Sequence, residues 1–560
     1  MAQVPGPIRA GLIFRVGFTD ESLVNHGITH LVEHLALAGL GQQPYRFGGK
    51  VEGLRTVFMA EGTDVEVLTF LRHVVATLAS LPVDRLQHQA GILRTEAAAR
   101  QVSPSAVALA DRFGTRGWGL VAAQEFGLVS VTADQLQEWS RRWFTADNAV
   151  LFMTGSLPER FELELQSGSR MAVPLAEPLP YRMPAWAHHR IPGVGISMIC
   201  HYSVEAGVLA DVLGKRAMNR LRFVEGLSYE VTAELKRLDL DRHHLFLWAD
   251  GLVEKLGAVR SDMLEVIDQL ADEGATPEEL KTESDTLRKN LGDPNFAVHQ
   301  LDLAATDDLL GRPFPGFDRR LSEIEAMDGK SVGRVLQESV ETALFIVPES
   351  VSMLDPRFTP LPNWSTDQVS GREYRLRLPG SDMRAKLNRL VLGDDGITRT
   401  LGPGKSVTVH FRDCALANIW NDGSWSLIGT DGWRLHINPA DWKDGSQISE
   451  TLERYVPAEL RVAMGDRPVP DPESLVVGPP QKAASAAFFS PRRDSWWLLV
   501  FIIVSVRLWY AFDPHPFMSG VNPTASFLSG MIWIFGIVVS VASLYFLYWT
   551  YWPKRRRPRR

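Results

Sequence analysis

The segment Gly27-Ile28-Thr29-His30-Leu31-Val32-Glu33-His34-Leu35-Ala36-Leu37-Ala38-Gly39 is long enough for about three helical turns, and Gly39 suits a helix stop. Positions i and i+4 of a helix lie one above the other. His30 and His34 therefore point the same way, spaced to share one metal ion. Glu33 stands on an adjoining side, where its carboxylate can reach a water at that metal without binding the metal itself. Two imidazoles, a nearby carboxylate and an open coordination position are what a hydrolytic zinc site needs. The order H-x-x-E-H inverts the commoner H-E-x-x-H. The competing reading of the same residues is an amphipathic helix with two histidines facing the core.

Strands and helices mix on either side of this segment. Leu12, Phe14 and Val16 share one face of 11–17, which reads as a strand leading toward the histidine helix. Thr56–Ala60 reads as another strand, 65–81, 82–100, 106–118 and 133–143 as helices, and Ala149–Thr154 as a buried strand. A catalytic zinc requires a third protein ligand, and an Asp or Glu from a different helix is the expected type. Glu96, on the helix 82–100, is the candidate. Glu52, Glu61 and Glu66 are nearer in sequence but fall on turns or on the exposed side of a helix start. Glu96 is equally well spaced to pair with Arg100 at i+4 as a solvated helix carboxylate.

At 560 residues the chain holds several domains. The net charge of -7 is mild, and the sequence has no phosphate-binding glycine loop or nucleic-acid patch, so nucleic acid is not an expected partner. Cys200 and Cys414 lie far apart and read as reduced thiols. The N-terminus has neither the basic nor the apolar region of a secretory signal. Near the C-terminus, 496–512 is apolar apart from Arg507, and 527–552 is apolar without a charge. Both approach or exceed the length needed to cross a bilayer. Arg492 and Arg493 precede the first run and Lys554-Arg555-Arg556-Arg557 follow the second, so the positive-inside rule gives a hairpin with cytoplasmic flanks. The expectation is a cell-membrane protein with two spans, both termini in the cytoplasm.

Several motifs, in order over residues 1 to about 350, resemble the pitrilysin/insulinase family of zinc metallopeptidases, whose helix carries the inverted motif. Gly27–His34 resembles the family's zinc helix, and Ile92–Glu96 the helix whose glutamate completes the site. Trp143–Gly155 resembles the strand that follows, Arg222–Tyr229 the Arg/Tyr motif of the family's second domain, and Thr276–Leu280 that domain's helix start. The resemblance implies two tandem homologous α/β domains, Zn2+ held by His30, His34 and Glu96, Glu33 as catalytic base, and Arg222 and Tyr229 as substrate-binding residues. It also implies a peptide substrate and a homodimer or paired subunit enclosing a chamber. Two features depart from the family: Gln89 stands where a second glutamate is usual, and Val51-Glu52-Gly53 lacks the Asn-Ala pair of the substrate edge. Such departures suit the alternative of a weak or inactive member acting as a membrane scaffold or adaptor.

The physical case for Arg222 and Tyr229 is that a guanidinium binds carbonyls or a carboxylate and a phenol donates to an oxyanion. They share a face if their segment is helical; otherwise they read as an interface arginine and a core tyrosine. His188-His189 and His243-His244, as adjacent pairs, read as surface or linker residues. The expected α+β organisation is a zinc-binding domain over 1–165, a Pro-rich linker over 166–195 and an inactive second peptidase domain over 196–365. A mainly-β module resembling a pleckstrin-homology (PH) domain follows over 373–470, then a tether over 471–494, a transmembrane hairpin over 495–552 and a basic tail over 553–560.

Overall fold

The computed structural model describes residues 4, 6–155, 161–293, 295–377 and 387–466, so the expected tether, transmembrane hairpin and tail lie outside the described residues. Among the described residues no single helix is long and apolar enough to cross a membrane.

The first domain opens with β1 (Ile8–Phe14), followed by α1 (Ile28–Leu37), β2 (Arg46–Val51) and β3 (Thr56–Gly62). Then come α2 (Asp64–Ala79), α3 (Leu86–Ala99), α4 (Pro104–Phe113), α5 (Gly127–Ser130), α6 (Ala133–Trp143) and β4 (Ala149–Met153). The strands form one sheet in the order β2-β3-β1-β4, antiparallel throughout. Alternation along β1 sends Leu12 and Phe14 into a core with Phe58 of β3. α1 buries Leu31, Val32, Leu35 and Ala36 in that same core, and α2 adds Val67, Phe70, Leu71 and Val74. Each of these valine, leucine and phenylalanine side chains contributes about 1.5–3 kcal/mol when fully buried.

The second domain comprises β5 (Ala185–His189), β6 (Gly193–His201), α7 (Val204–Met218), β7 (Val231–Arg237) and β8 (Arg242–Asp250). It continues with α8 (Leu256–Glu273), α9 (Pro277–Leu291), α10 (Phe296–Leu309), α11 (Phe317–Glu325), α12 (Gly329–Val340), β9 (Leu344–Pro348) and the short β10 (Thr359–Pro360). Its sheet runs β10-β5-β9-β6-β8-β7. Within it, β7-β8-β6-β9 repeats the antiparallel second-third-first-fourth order of the first domain, with α7 where α1 stands. The sheet begins inside the stretch expected as linker, because β5 pairs in parallel with β9 from Ala185 onward.

The region expected as a PH-like module contains β11 (Arg372–Arg375), β12 (Arg389–Leu392), β13 (Gly396–Gly402), β14 (Lys405–His410), β15 (Cys414–Trp420), β16 (Trp425–Gly429), β17 (Arg434–Ile437) and β18 (Arg461–Met464). They form two four-stranded sheets, β11-β12-β13-β14 and β17-β16-β15-β18. One core, including Leu390, Val407, Trp425, Trp433 and Trp442, joins them to the helix Gly445–Tyr455 through Ile448 and Leu452. The chain then adds β18 in parallel to β15.

α4 ties the first domain to the second. Ser103 caps it and Pro104 occupies its first turn. Every residue from Ser105 to Phe113 is buried, including Asp111 and Arg112. Arg112 donates Nε to Ser197 Oγ (3.1 Å) and Nη2 to the carbonyls of Ser197 and Thr342 (both 2.8 Å). Burial pulls its pKa down to about 10 against the pull of Asp111. Asp111 meets His189 Nε2 at 2.7 Å, and Ser197 Oγ lies 2.8 Å from His244 Nε2. Burial, with Arg112 nearby, pushes the His244 pKa well below its ordinary value, so the ring is neutral there.

His189, His243 and His244 are thus buried, not the surface residues expected from sequence. β8 is buried on both faces, so alternation sends the adjacent His243 and His244 into packed layers, whereas on β5 only His189 faces inward and His188 is exposed. Arg112→Leu removes three buried hydrogen bonds across the domain seam, and we expect it to lower unfolding free energy by about 3–5 kcal/mol in urea denaturation.

Candidate metal centre

Glu21, buried below the start of α1, fixes the helix that carries the motif. Its Oε1 accepts from the Thr29 amide (2.8 Å) and its Oε2 from the Gly27 amide (2.9 Å), while Oε2 also meets His26 Nδ1 at 2.7 Å. A carboxylate at a helix N-terminus satisfies orphan amides and complements the helix dipole. Gly27, at φ 96°, makes the left-handed entry to the helix. Trp139 of α6 donates to Thr29 Oγ1 at 3.1 Å. With one side of α1 in the core, His30 and His34 emerge half-buried on the other, their rings 5.0 Å apart and perpendicular.

Both imidazoles are held through Nδ1. His30 Nδ1 lies 3.0 Å from Glu125 Oε1, and His34 Nδ1 lies 3.3 Å from Gln89 Oε1. With Nδ1 occupied, Nε2 is the free nitrogen on each ring, the usual geometry of metal-binding histidines. Glu96, on α3 and exposed, brings Oε2 to 3.9 Å from His34 Nε2. One ligand atom from each of His30, His34 and Glu96 lies within 4.8 Å of the others. Two imidazoles and a carboxylate are a donor set of catalytic zinc. Glu125 Oε2 is buried without a hydrogen-bond partner, while its Oε1 meets His30 and lies 3.8 Å from Arg100 Nη1. The residues therefore fit zinc.

Glu33 is nearly buried, with Oε2 3.8 Å from His34 Nε2. Burial raises its pKa to about 7, opposed by His30 and reinforced by Glu96. Burial disfavours the charged form of His30, but the Glu125 carboxylate outweighs it and the pKa is raised. Burial, aided by the charge of His30, lowers that of His34. The carboxylates passed over as ligands are engaged elsewhere: Glu52 pairs with Lys50 and Arg55, Glu61 with Arg9, and Glu66 closes the capping box of α2 with Thr63. Sequence reading missed Glu125 and Glu21. Both sit outside regular helices, where periodicity gives no signal.

Gly49 of β2 packs over Glu33: a Cβ added there would lie 2.0 Å from Glu33 Oε1. β2 is an edge strand, so the carboxylate sits beside unpaired backbone.

Arg222 and Tyr229 come together in the second domain. Arg222 lies in a π-helical turn, Asn219–Val224, that extends α7. The chain then reverses at Gly226, φ 58°, and the Arg222 guanidinium stacks 4.6 Å above the exposed Tyr229 ring. Their proximity comes from this reversal, not from a shared helical face. Among the described residues no hydrogen bond, ion pair or ring contact joins either to His30, Glu33, His34 or Glu96.

No family model matches the sequence, and no curated protein matches it. Solved structures do match. An M16 peptidase inactive domain from Pseudomonas fluorescens is 15% identical, with a TM-score of 0.51, covering 62% of this chain and 93% of its own. A protease from Helicobacter pylori is 14% identical, with a TM-score of 0.52 and coverage of 62% and 96%. A chain of complex III2 from Candida albicans, solved with Inz-5 bound, is 14% identical, with a TM-score of 0.52 and coverage of 61% and 91%. Over the part of the chain they cover, the fold is therefore similar to that of M16 peptidase-like domains. Glu96→Gln weakens one of three donors, and we expect zinc affinity to fall more than about 100-fold, beyond the usual cost of losing an outer partner, in chelator competition.

Proposed function

We propose that this chain is a membrane-anchored, zinc-dependent endopeptidase that hydrolyses peptides or unfolded polypeptides on the cytoplasmic side. The observation that carries the reading is the convergence of His30, His34 and Glu96 beside the buried carboxyl of Glu33. When bound by His30, His34 and Glu96, zinc supplies Lewis-acid polarisation of a peptide carbonyl and acidification of water. Glu33 provides the proton relay: its carboxyl, beside His34 Nε2, is placed to take a proton from the attacking water and return it to the leaving amine. An extended peptide adds to the open edge of β2, its backbone pairing with Arg46–Val51, and Gly48 and Gly49 allow close approach. Arg222 and Tyr229 hold the substrate backbone and donate to the developing oxyanion from the second domain's side.

Membrane anchoring rests on the two apolar runs within 495–552 and their flanking arginines. Pairing with a second copy or a partner subunit encloses the substrate. The β-rich region, read as a PH-like module, docks protein or the adjacent inner leaflet.

Gln89 in place of a glutamate, and the likeness to an inactive M16 domain, favour a second reading in which the chain is a weak or inactive scaffold or adaptor at the membrane. Zinc stoichiometry of the purified full chain separates them: absence of bound zinc overturns the peptidase reading. In peptide-library cleavage by the full chain, Glu33→Gln should retain zinc and lose about 10²–10⁴-fold in kcat. Equal cleavage by wild type and variant rules out Glu33 as the base. Gly49→Ala displaces the Glu33 carboxylate and should cost about 100-fold in kcat with zinc affinity unchanged.

A further inference from the structure

Phe126, the residue after Glu125, is buried outside the first domain's main core. It packs in an apolar cluster with Leu23 and Leu120 of its own domain and with Leu416 of β15, Ile428 of β16 and Val462 of β18. The start of the same segment is held as well. The Thr115 amide donates to the Thr430 carbonyl (3.0 Å), and Thr115 Oγ1 donates to the Gly429 carbonyl (2.9 Å). At Gly114, φ 68°, an added Cβ would lie 2.1 Å from the Thr430 oxygen, so the two backbones touch. The far end rests on the approach to α1, where the Gly127 amide donates to the His26 carbonyl at 2.8 Å. Leu23, in the shared cluster, is two residues from the Glu21 that caps α1. Both stretches that fix the histidine helix thus meet the β-rich module in one seam.

We propose that the β-rich module is a working part of the metal centre: it clamps the segment Thr115–Gly127 through Phe126 and thereby holds Glu125, the positioning residue that orients His30. The proposal rests on the zinc reading of His30, His34 and Glu96. An imidazole held by a carboxylate has its tautomer and direction set before metal arrives, and losing such a partner typically costs 10–100-fold in metal affinity. Here the carboxylate is itself on a short connecting stretch, and the module supplies the packing that a helix or strand would otherwise provide. A partner or surface that shifts the module would loosen the metal centre without touching a ligand.

The test is a double-variant cycle on the full chain, reading zinc affinity by chelator competition. Glu125→Ala should weaken zinc about 10–100-fold, and Phe126→Ala and Ile428→Ala, from opposite sides of the seam, by about tenfold each. Combined with Glu125→Ala, neither seam variant should cost more than about a further twofold, because both act through that carboxylate. Phe126→Leu should restore most of the affinity. Leu336→Ala, in the second domain's core, should destabilise the fold and leave zinc affinity unchanged. Wild-type affinity in the seam variants, or losses that multiply with Glu125→Ala, overturns the proposal. If the wild type takes up no zinc, the zinc reading falls on that result alone, and hydrogen exchange of the metal-free chain decides the clamp. Faster exchange over residues 26–37 in Phe126→Ala supports it, and unchanged exchange overturns it.

Discussion

The angle at which one helix lies in its core governs the candidate chemistry. α1 buries seven of its ten residues, and both oxygens of Glu21 are bonded to its first turn. A rotation that moved His30 or His34 by a few ångströms would withdraw Leu31, Val32 and Leu35 from the core and break the Glu21 cap. Core packing therefore fixes the direction of both imidazoles, and Glu125 and Gln89 fix which nitrogen each presents.

Around that helix the structure sorts carboxylates by solvent access. Glu96 is exposed, its Oε2 3.9 Å from His34 Nε2. Glu33 is nearly buried, and its proton affinity rises toward neutrality. Glu125 is also largely buried, but His30, together with His26 and Arg100, more than offsets the burial and holds its carboxyl below the usual range. Glu33 and Glu125, like side chains within one small region, thus shift in opposite directions, each set by its neighbours.

The parts legible in the sequence were those with periodicity. The i, i+4 histidines and the helix bearing Glu96 announce themselves through spacing. Glu21 and Glu125 do not, because connecting segments have no period and their partners lie elsewhere in the chain. Arg222 and Tyr229 were recognisable as a motif, but the reversal at Gly226 that stacks them could not be read from a seven-residue interval. The histidine pairs misled for a related reason: adjacency on a strand says which faces they point to, not whether those faces are covered. Gln89 was visible as a departure, whereas its contact with His34 Nδ1 needed three dimensions.

Arg112 and Asp111 bear on how the polypeptide holds together. Residues 161–183 connect the two domains with no regular secondary structure. The domains are nonetheless joined through the interior by α4, whose buried polar pairs reach across to Ser197, His189 and Thr342. A protease nick in 161–183 would sever the covalent connection and leave this interior lock in place. The metal helix and the Arg222–Tyr229 stack are therefore tied through α4 as well as through the connecting chain.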